Sequence, residues 1–284
     1  MVKPIIKYEQ LDLKELSKKS YGDDLELETR VAEIISLVKK QGDKALRELT
    51  LKFDGVDLAE TGIKVTRTEF ESAYKQVSQG FLKALRQAKE NIKEYHERQK
   101  RNSWLKTADD GTVMGQLIRP LQRVGIYVPG GTAAYPSSVL MNALPAAVAG
   151  VEQIVMVSPP RPDGSVSPQV LVAAAECGIE EVYKIGGAQA IAALAYGTET
   201  ISPVDKITGP GNIYVTLAKK QVYGIVDIDM LAGPSEILIL ADHTGQPEEL
   251  AADLLSQAEH DELASAILIS PDRALLENTV KEVE

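Results

Sequence analysis

The chain has 284 residues, 44% of them hydrophobic and 25% charged, which is enough apolar material for one large or two ordinary domains and excludes a disordered or low-complexity design. Its net charge of −10, with no lysine or arginine stripe interleaved with aromatics, argues against a nucleic-acid partner. The start (MVKPIIK) has no apolar signal core, the most apolar later stretch (143–151) is short and broken by Pro145 and Gly150, and Cys177 is the single cysteine, so no membrane partner and a cytoplasmic location are expected.

In chain order, residues 25–40 and 44–53 carry apolar residues three and four apart and predict two helices, with Gly42 as the break between them. Thr66 and Glu69 have the spacing of a capping box that opens a further helix, and residues 81–100 read as a long charged one. The first hundred residues are therefore a helical lead-in. Beyond Gly111, β-rich runs at 113–118, 123–128, 153–157, 181–185 and 206–208 alternate with helical segments, the signature of a parallel sheet. Residues 136–149 are apolar almost all round, with Pro136 in the first turn, and predict a helix buried against that sheet. Two more apolar runs, 236–241 and 264–269, flank a helix from 247 to about 260, and the last residues read as another helix.

Three strand ends run into small-residue turns: VPGGT at 128–132, IGGAQ at 185–189 and TGPGN at 208–212. At the carboxyl ends of an open α/β sheet, such turns bring backbone N–H groups close to a ligand, and helix N-termini favour its anionic groups. Each glycine also permits a tight turn for its own sake, and both readings stand at this point. No GxGxxG fingerprint and no GxxxxGK[ST] loop is present. Tyr127, Gln189 and Asn212 place hydrogen-bonding groups beside the turns.

On the helix at 247–260, Leu250, Ala251, Leu254, Leu255 and Ala258 form the expected buried stripe. Gln257 and His260 are three residues apart and share one face. An imidazole and a carboxamide oxygen can both bind zinc; equally, a histidine at a helix end can interact with the last carbonyls. His96, in a charged helix, and His243, in a loop, read as solvated. Cys177, in AAEC at a helix end, reads as a small packed residue rather than a nucleophile.

Taken in order, the segments 123–131 (RVGIYVPGG), 186–195 (GGAQAIAALA), 209–212 (GPGN), 232–236 (AGPSE) and 256–261 (SQAEHD) resemble histidinol dehydrogenases. The resemblance implies oxidation of L-histidinol through the aldehyde to L-histidine, the last steps of histidine biosynthesis, with NAD and Zn as cofactors. It implies NAD contacts at Tyr127, Gln189 and Asn212, substrate contacts at Ser235, Gln257 and His260, and zinc ligation by Gln257 and His260. It also implies an α/β fold of two Rossmann-like (incomplete) parallel-sheet domains, one inserted in the other: residues 1–125 with 237–284 as a discontinuous first domain, C-terminally incomplete, and 126–236 as the inserted NAD-binding domain. In this arrangement the strand near Glu236 returns to the sheet begun before Tyr127, and the assembly is a homodimer. The family's glutamate–histidine catalytic pair and its remaining aspartate and histidine zinc ligands are expected after Glu284, so no catalytic residue is assigned here. The 284-residue chain by itself is expected to have little or no activity as an enzyme, the alternative being a shortened protein that binds NAD or a histidine-like ligand without catalysis.

Overall fold

The computed structural model describes residues 5–11, 25–130, 134–231, 235–259 and 264–284. Helices α1 (Leu25–Gln41) and α2 (Asp43–Asp54) form where the apolar spacing predicts them, separated by Gly42 at φ +54°. A single turn, α3 (Leu58–Thr61), leads to α4 (Arg67–Gln76). The expected capping box opens α4: the Thr66 N–H donates to Glu69 at 2.7 Å and the Glu69 N–H to the Thr66 hydroxyl at 3.3 Å. The charged helix α5 (Gln79–Glu97) starts on a Ser78 cap.

The run at 113–118 does not join a parallel sheet. Instead β1 (Trp104–Thr107) and β2 (Val113–Gln116) make an antiparallel hairpin of their own. The cause is local. Asp110 and Gly111 close the turn, with Gly111 at φ +85° and the Ala108 N–H donating to Thr112 O at 2.8 Å, and an Asp-Gly turn favours hairpin pairing.

The parallel sheet begins at β3 (Arg123–Tyr127) and continues through α6 (Pro136–Ala149), β4 (Gln153–Val157), α7 (Pro168–Glu176), β5 (Glu181–Tyr183), α8 (Gly187–Tyr196), β6 (Lys206–Thr208), α9 (Ile213–Val222) and β7 (Asp227–Ile228). Its strands lie in the order β5-β4-β3-β6-β7, all parallel. Taken by sequence this is 3-2-1-4-5, the doubly wound order that reverses direction beside its first strand. β5 is shorter than the expected 181–185 run, and the segment around Lys64 pairs antiparallel to its outer edge, where the Lys184 N–H donates to Ile63 O at 2.8 Å.

The two faces of the sheet carry two cores. Val124, Ile126 and Val128 point to one face, where they meet α6, α7 and the inner sides of α4 and α5. Tyr127, Val155, Val157 and Ile207 point to the other, with α1, α2, α8 and α9. Gly125 also faces α8: a Cβ there would lie 2.9 Å from Leu194, so the missing side chain lets this helix approach. The helical lead-in is therefore not a separate appendage but packs on both faces of the sheet.

After these elements come β8 (Ile237–Leu240), α10 (Pro247–Ala258), β9 (Ala266–Ile269) and α11 (Arg273–Val283), with β8 and β9 in parallel register. Among the described residues β8 pairs with β9, in a sheet two strands wide. Of the expected stripe on α10, Leu250 and Ala251 are buried, Leu254 is half-buried, and Leu255 and Ala258 are exposed, because so narrow a sheet and one companion helix cover only part of that face. The chain divides into two compact units, 26–231 and the remainder. The expected boundary at 125/126 falls inside β3. Among the described residues no helix is long and apolar enough to cross a membrane.

Candidate functional site

Within the 26–231 unit, all three candidate cofactor residues lie at the carboxyl edge of the five-stranded sheet. Tyr127 is the last residue of β3 and is 3% exposed. Its hydroxyl accepts the Gly187 N–H at 3.1 Å, which satisfies one of the four orphan donors of α8. Burial pushes this phenol up to about 12, with the charge of Asp54 adding to the effect. Gln189, the third residue of α8, is 2% exposed, and its carboxamide lies over Gly187. Asn212 is exposed and caps α9, its carboxamide oxygen accepting the Val215 N–H at 3.2 Å.

The glycines of the turns have internal causes. A Cβ at Gly130 would lie 3.0 Å from Pro159, and one at Gly186 2.4 Å from the same ring, so Pro159 occupies the space between the turns after β3 and β5. Gly209, at φ +117°, comes so close to β3 that a Cβ would lie 2.1 Å from the Tyr127 carbonyl oxygen. Tight packing of one turn on another accounts for these residues, and the anion-favouring feature of the edge is the pair of helix N-termini that the turns introduce.

A buried clamp fixes the turn after β6. Lys219, 3% exposed on α9, donates to Gly209 O at 3.1 Å and to Asp229, whose carboxylate also accepts the Gly209 N–H at 2.9 Å and the Met230 N–H at 2.7 Å. Composition and spacing gave no sign of it. Asp54 was equally unmarked. It ends α2 half-buried, burial pushes its carboxyl up to about 6, and its Oδ2 is buried without a hydrogen-bond partner. Among the described residues four buried side-chain polar atoms lack a partner, and one of the others, Thr208 Oγ1, is at the carboxyl end of β6. Thr208 Oγ1, beside two helix N-termini, suits a polar ligand, while a further partnerless atom, Arg123 Nε, lies at the opposite edge.

The opposite, amino edge carries an ion pair and backbone caps. The Arg123 guanidinium meets Glu181 at 2.7 Å and holds its carboxyl below the ordinary range, and Asp205 accepts the Gln122 and Arg123 N–H groups at 3.0 and 2.9 Å. Cys177 caps α7 half-buried, and burial pushes its thiol up to about 11, which fits a packed residue and not a nucleophile.

In the other unit, Ser235 is exposed just before β8, and Gln257 is half-buried on the last turn of α10. Because α10 is the crossover between two parallel strands, its C-terminal end returns to the end where β8 begins, and the two residues share that end. His260 lies outside the described residues. Among the described residues no three His, Cys, Asp or Glu side chains form a group able to hold a metal. His243 is exposed in its loop, whereas His96 is half-buried, with Nδ1 2.7 Å from Gln99 Oε1.

A family model described as histidinol dehydrogenase matches residues 17–284. A histidinol dehydrogenase of Moorella thermoacetica is 61% identical over 96% of this chain and 65% of its own length. One of Bacillus subtilis is 61% identical over 89% of this chain and 59% of its own. The crystal structure of a histidinol dehydrogenase from Elizabethkingia anophelis superposes with a TM-score of 0.83 at 41% identity, over 95% of this chain and 62% of that one. The chain thus spans less than two thirds of the length of these relatives.

Proposed function

Because the chain belongs to the histidinol dehydrogenase family, we propose that the full-length protein is an oxidoreductase of histidine biosynthesis that converts L-histidinol to L-histidine through the aldehyde, with NAD as the hydride acceptor. The supporting observation is the convergence of Tyr127, Gln189 and Asn212 on the carboxyl edge of a 3-2-1-4-5 sheet, where dinucleotides bind in folds of this order. When bound, NAD supplies the hydride acceptor. The residues of this chain that would hold it are the N-termini of α8 and α9, which favour anionic groups, and the Asn212 amide, while Tyr127 keeps the first turn of α8 in place through Gly187.

On the substrate side Ser235, Gln257 and His260 contact L-histidinol, and Gln257 and His260 contribute to a zinc shell. The described residues alone do not form that shell, and no step is assigned to the metal. The protein acts in the cytoplasm as a homodimer, a state consistent with the exposed Trp104, Leu105, Val113 and Met114 of the β1–β2 hairpin. The test is direct. Purified full-length protein given L-histidinol and NAD is expected to form NADH and L-histidine; no NADH from a folded, zinc-loaded preparation would remove the reading.

A further inference from the structure

Helix α2 contacts α8. Its first residue, Asp43, accepts the Thr200 N–H at 3.3 Å and the Thr200 hydroxyl, while the Asp43 N–H donates to Glu199 at 2.7 Å, so α2 begins beyond the C-terminal end of α8. Twelve helical residues rise roughly 18 Å and ten roughly 15 Å, so the end of α2 comes level with the start of α8. That end is Asp54. It stands at the carboxyl edge of the sheet, near enough to Tyr127 for its charge to act on the phenol.

The carboxylate is poorly placed for stability. It is half-buried, one oxygen has no partner, and a negative charge in the last turn opposes the helix dipole. A half-buried carboxylate with a partnerless oxygen is a candidate for binding. Its charge repels phosphate and suits a neutral hydroxyl donor. In doubly wound sheets the carboxylate that accepts a ribose hydroxyl comes from the end of the second strand. Here the second strand, β4, is followed by Ser158, Pro159 and Pro160; the Ser158 N–H is taken by Tyr183 O at 3.1 Å, and Pro159 is packed against Gly130 and Gly186. That position offers no acid.

We propose that Asp54 supplies this carboxylate from the helical layer outside the strand–helix–strand units, accepting a hydrogen bond from a ribose hydroxyl of the bound dinucleotide and disfavouring a phosphate on that ribose. The assignment rests on the reading of this edge as the NAD face. It is tested by calorimetric titration of NAD and of NADP into the full-length protein and its Asp54→Asn and Asp54→Glu variants. Loss of a charged hydrogen bond predicts NAD binding weakened about tenfold or more in Asp54→Asn, and a preference for NAD over NADP reduced by a similar factor. Asp54→Glu keeps the charge and is expected to keep the preference. Unchanged NAD affinity and preference in Asp54→Asn overturns the assignment, as does equal loss of preference in Asn and Glu variants. No NAD binding by the wild type instead removes the NAD face itself, and the role of Asp54 with it.

Discussion

Gly209 shows how little room the carboxyl edge leaves. With φ at +117° and the Tyr127 carbonyl 2.1 Å from where a Cβ would stand, Gly209→Ala forces both a strained backbone and a clash against a strand. We expect a loss of about 3 kcal/mol or more in urea unfolding; near-wild-type stability would show that the β3–β6 junction yields. Asp54 predicts the opposite sign. Its carboxyl is raised by burial from 3.8 to about 6, so between about pH 4 and 6 the folded state holds the proton that the unfolded state has lost, and stability falls as pH rises through that window. Asp54→Asn should therefore unfold at a higher temperature than wild type near pH 8, with the gap closing towards about pH 4. A wild type more stable than the variant at pH 8 would contradict a half-buried carboxylate with one oxygen unpartnered. The position of Tyr127, Gln189 and Asn212 at the carboxyl edge was legible in the sequence because each adjoins a glycine-marked strand end. Asp54 was not, since an Asp-Gly pair after a helix reads as a surface turn, and its burial arises only when α2 contacts α8.

Elements were legible in proportion to how locally they are determined. The helix at 136–149 and the strands at 153–157 and 206–208 appear with the expected bounds, because an apolar run flanked by Pro or Gly specifies both type and ends. The capping box at Thr66 is likewise local. The β1–β2 hairpin was missed because an isolated alternating run does not state its partner, and β7 because two residues carry no period. Lys219 and Lys220 are neighbours on α9, yet tertiary structure separates them. Lys219 is buried in the clamp that holds the Gly209 turn, whereas Lys220 pairs with Glu28 while about half exposed. Lys219→Met strands a partly buried Asp229 and should cost about 2–3 kcal/mol, tempered by the 29% exposure of that carboxylate. Lys220→Met should cost below about 1 kcal/mol. Equal losses in chemical denaturation would mean that the clamp does not bear on folding.

At the scale of the molecule, the α/β class was legible from the alternation of strand and helix patterns, and the family from five short segments. The placement of the helical lead-in was not, because amphipathic helices announce that they have a buried face but not which sheet covers it. In the structure α1 and α2 take one face and α4 and α5 the other. This arrangement brings Asp54 to the same edge as the residues from β3, α8 and α9. The claim that this carboxyl edge is the dinucleotide face is tested most directly by amide hydrogen exchange of the full-length protein with and without saturating NAD. NAD is predicted to slow exchange in residues 127–130, 185–189 and 208–212, and to leave the Arg123–Glu181 edge unchanged. Protection confined to the amino edge, or absent throughout residues 26–231 while NAD is bound, would contradict it.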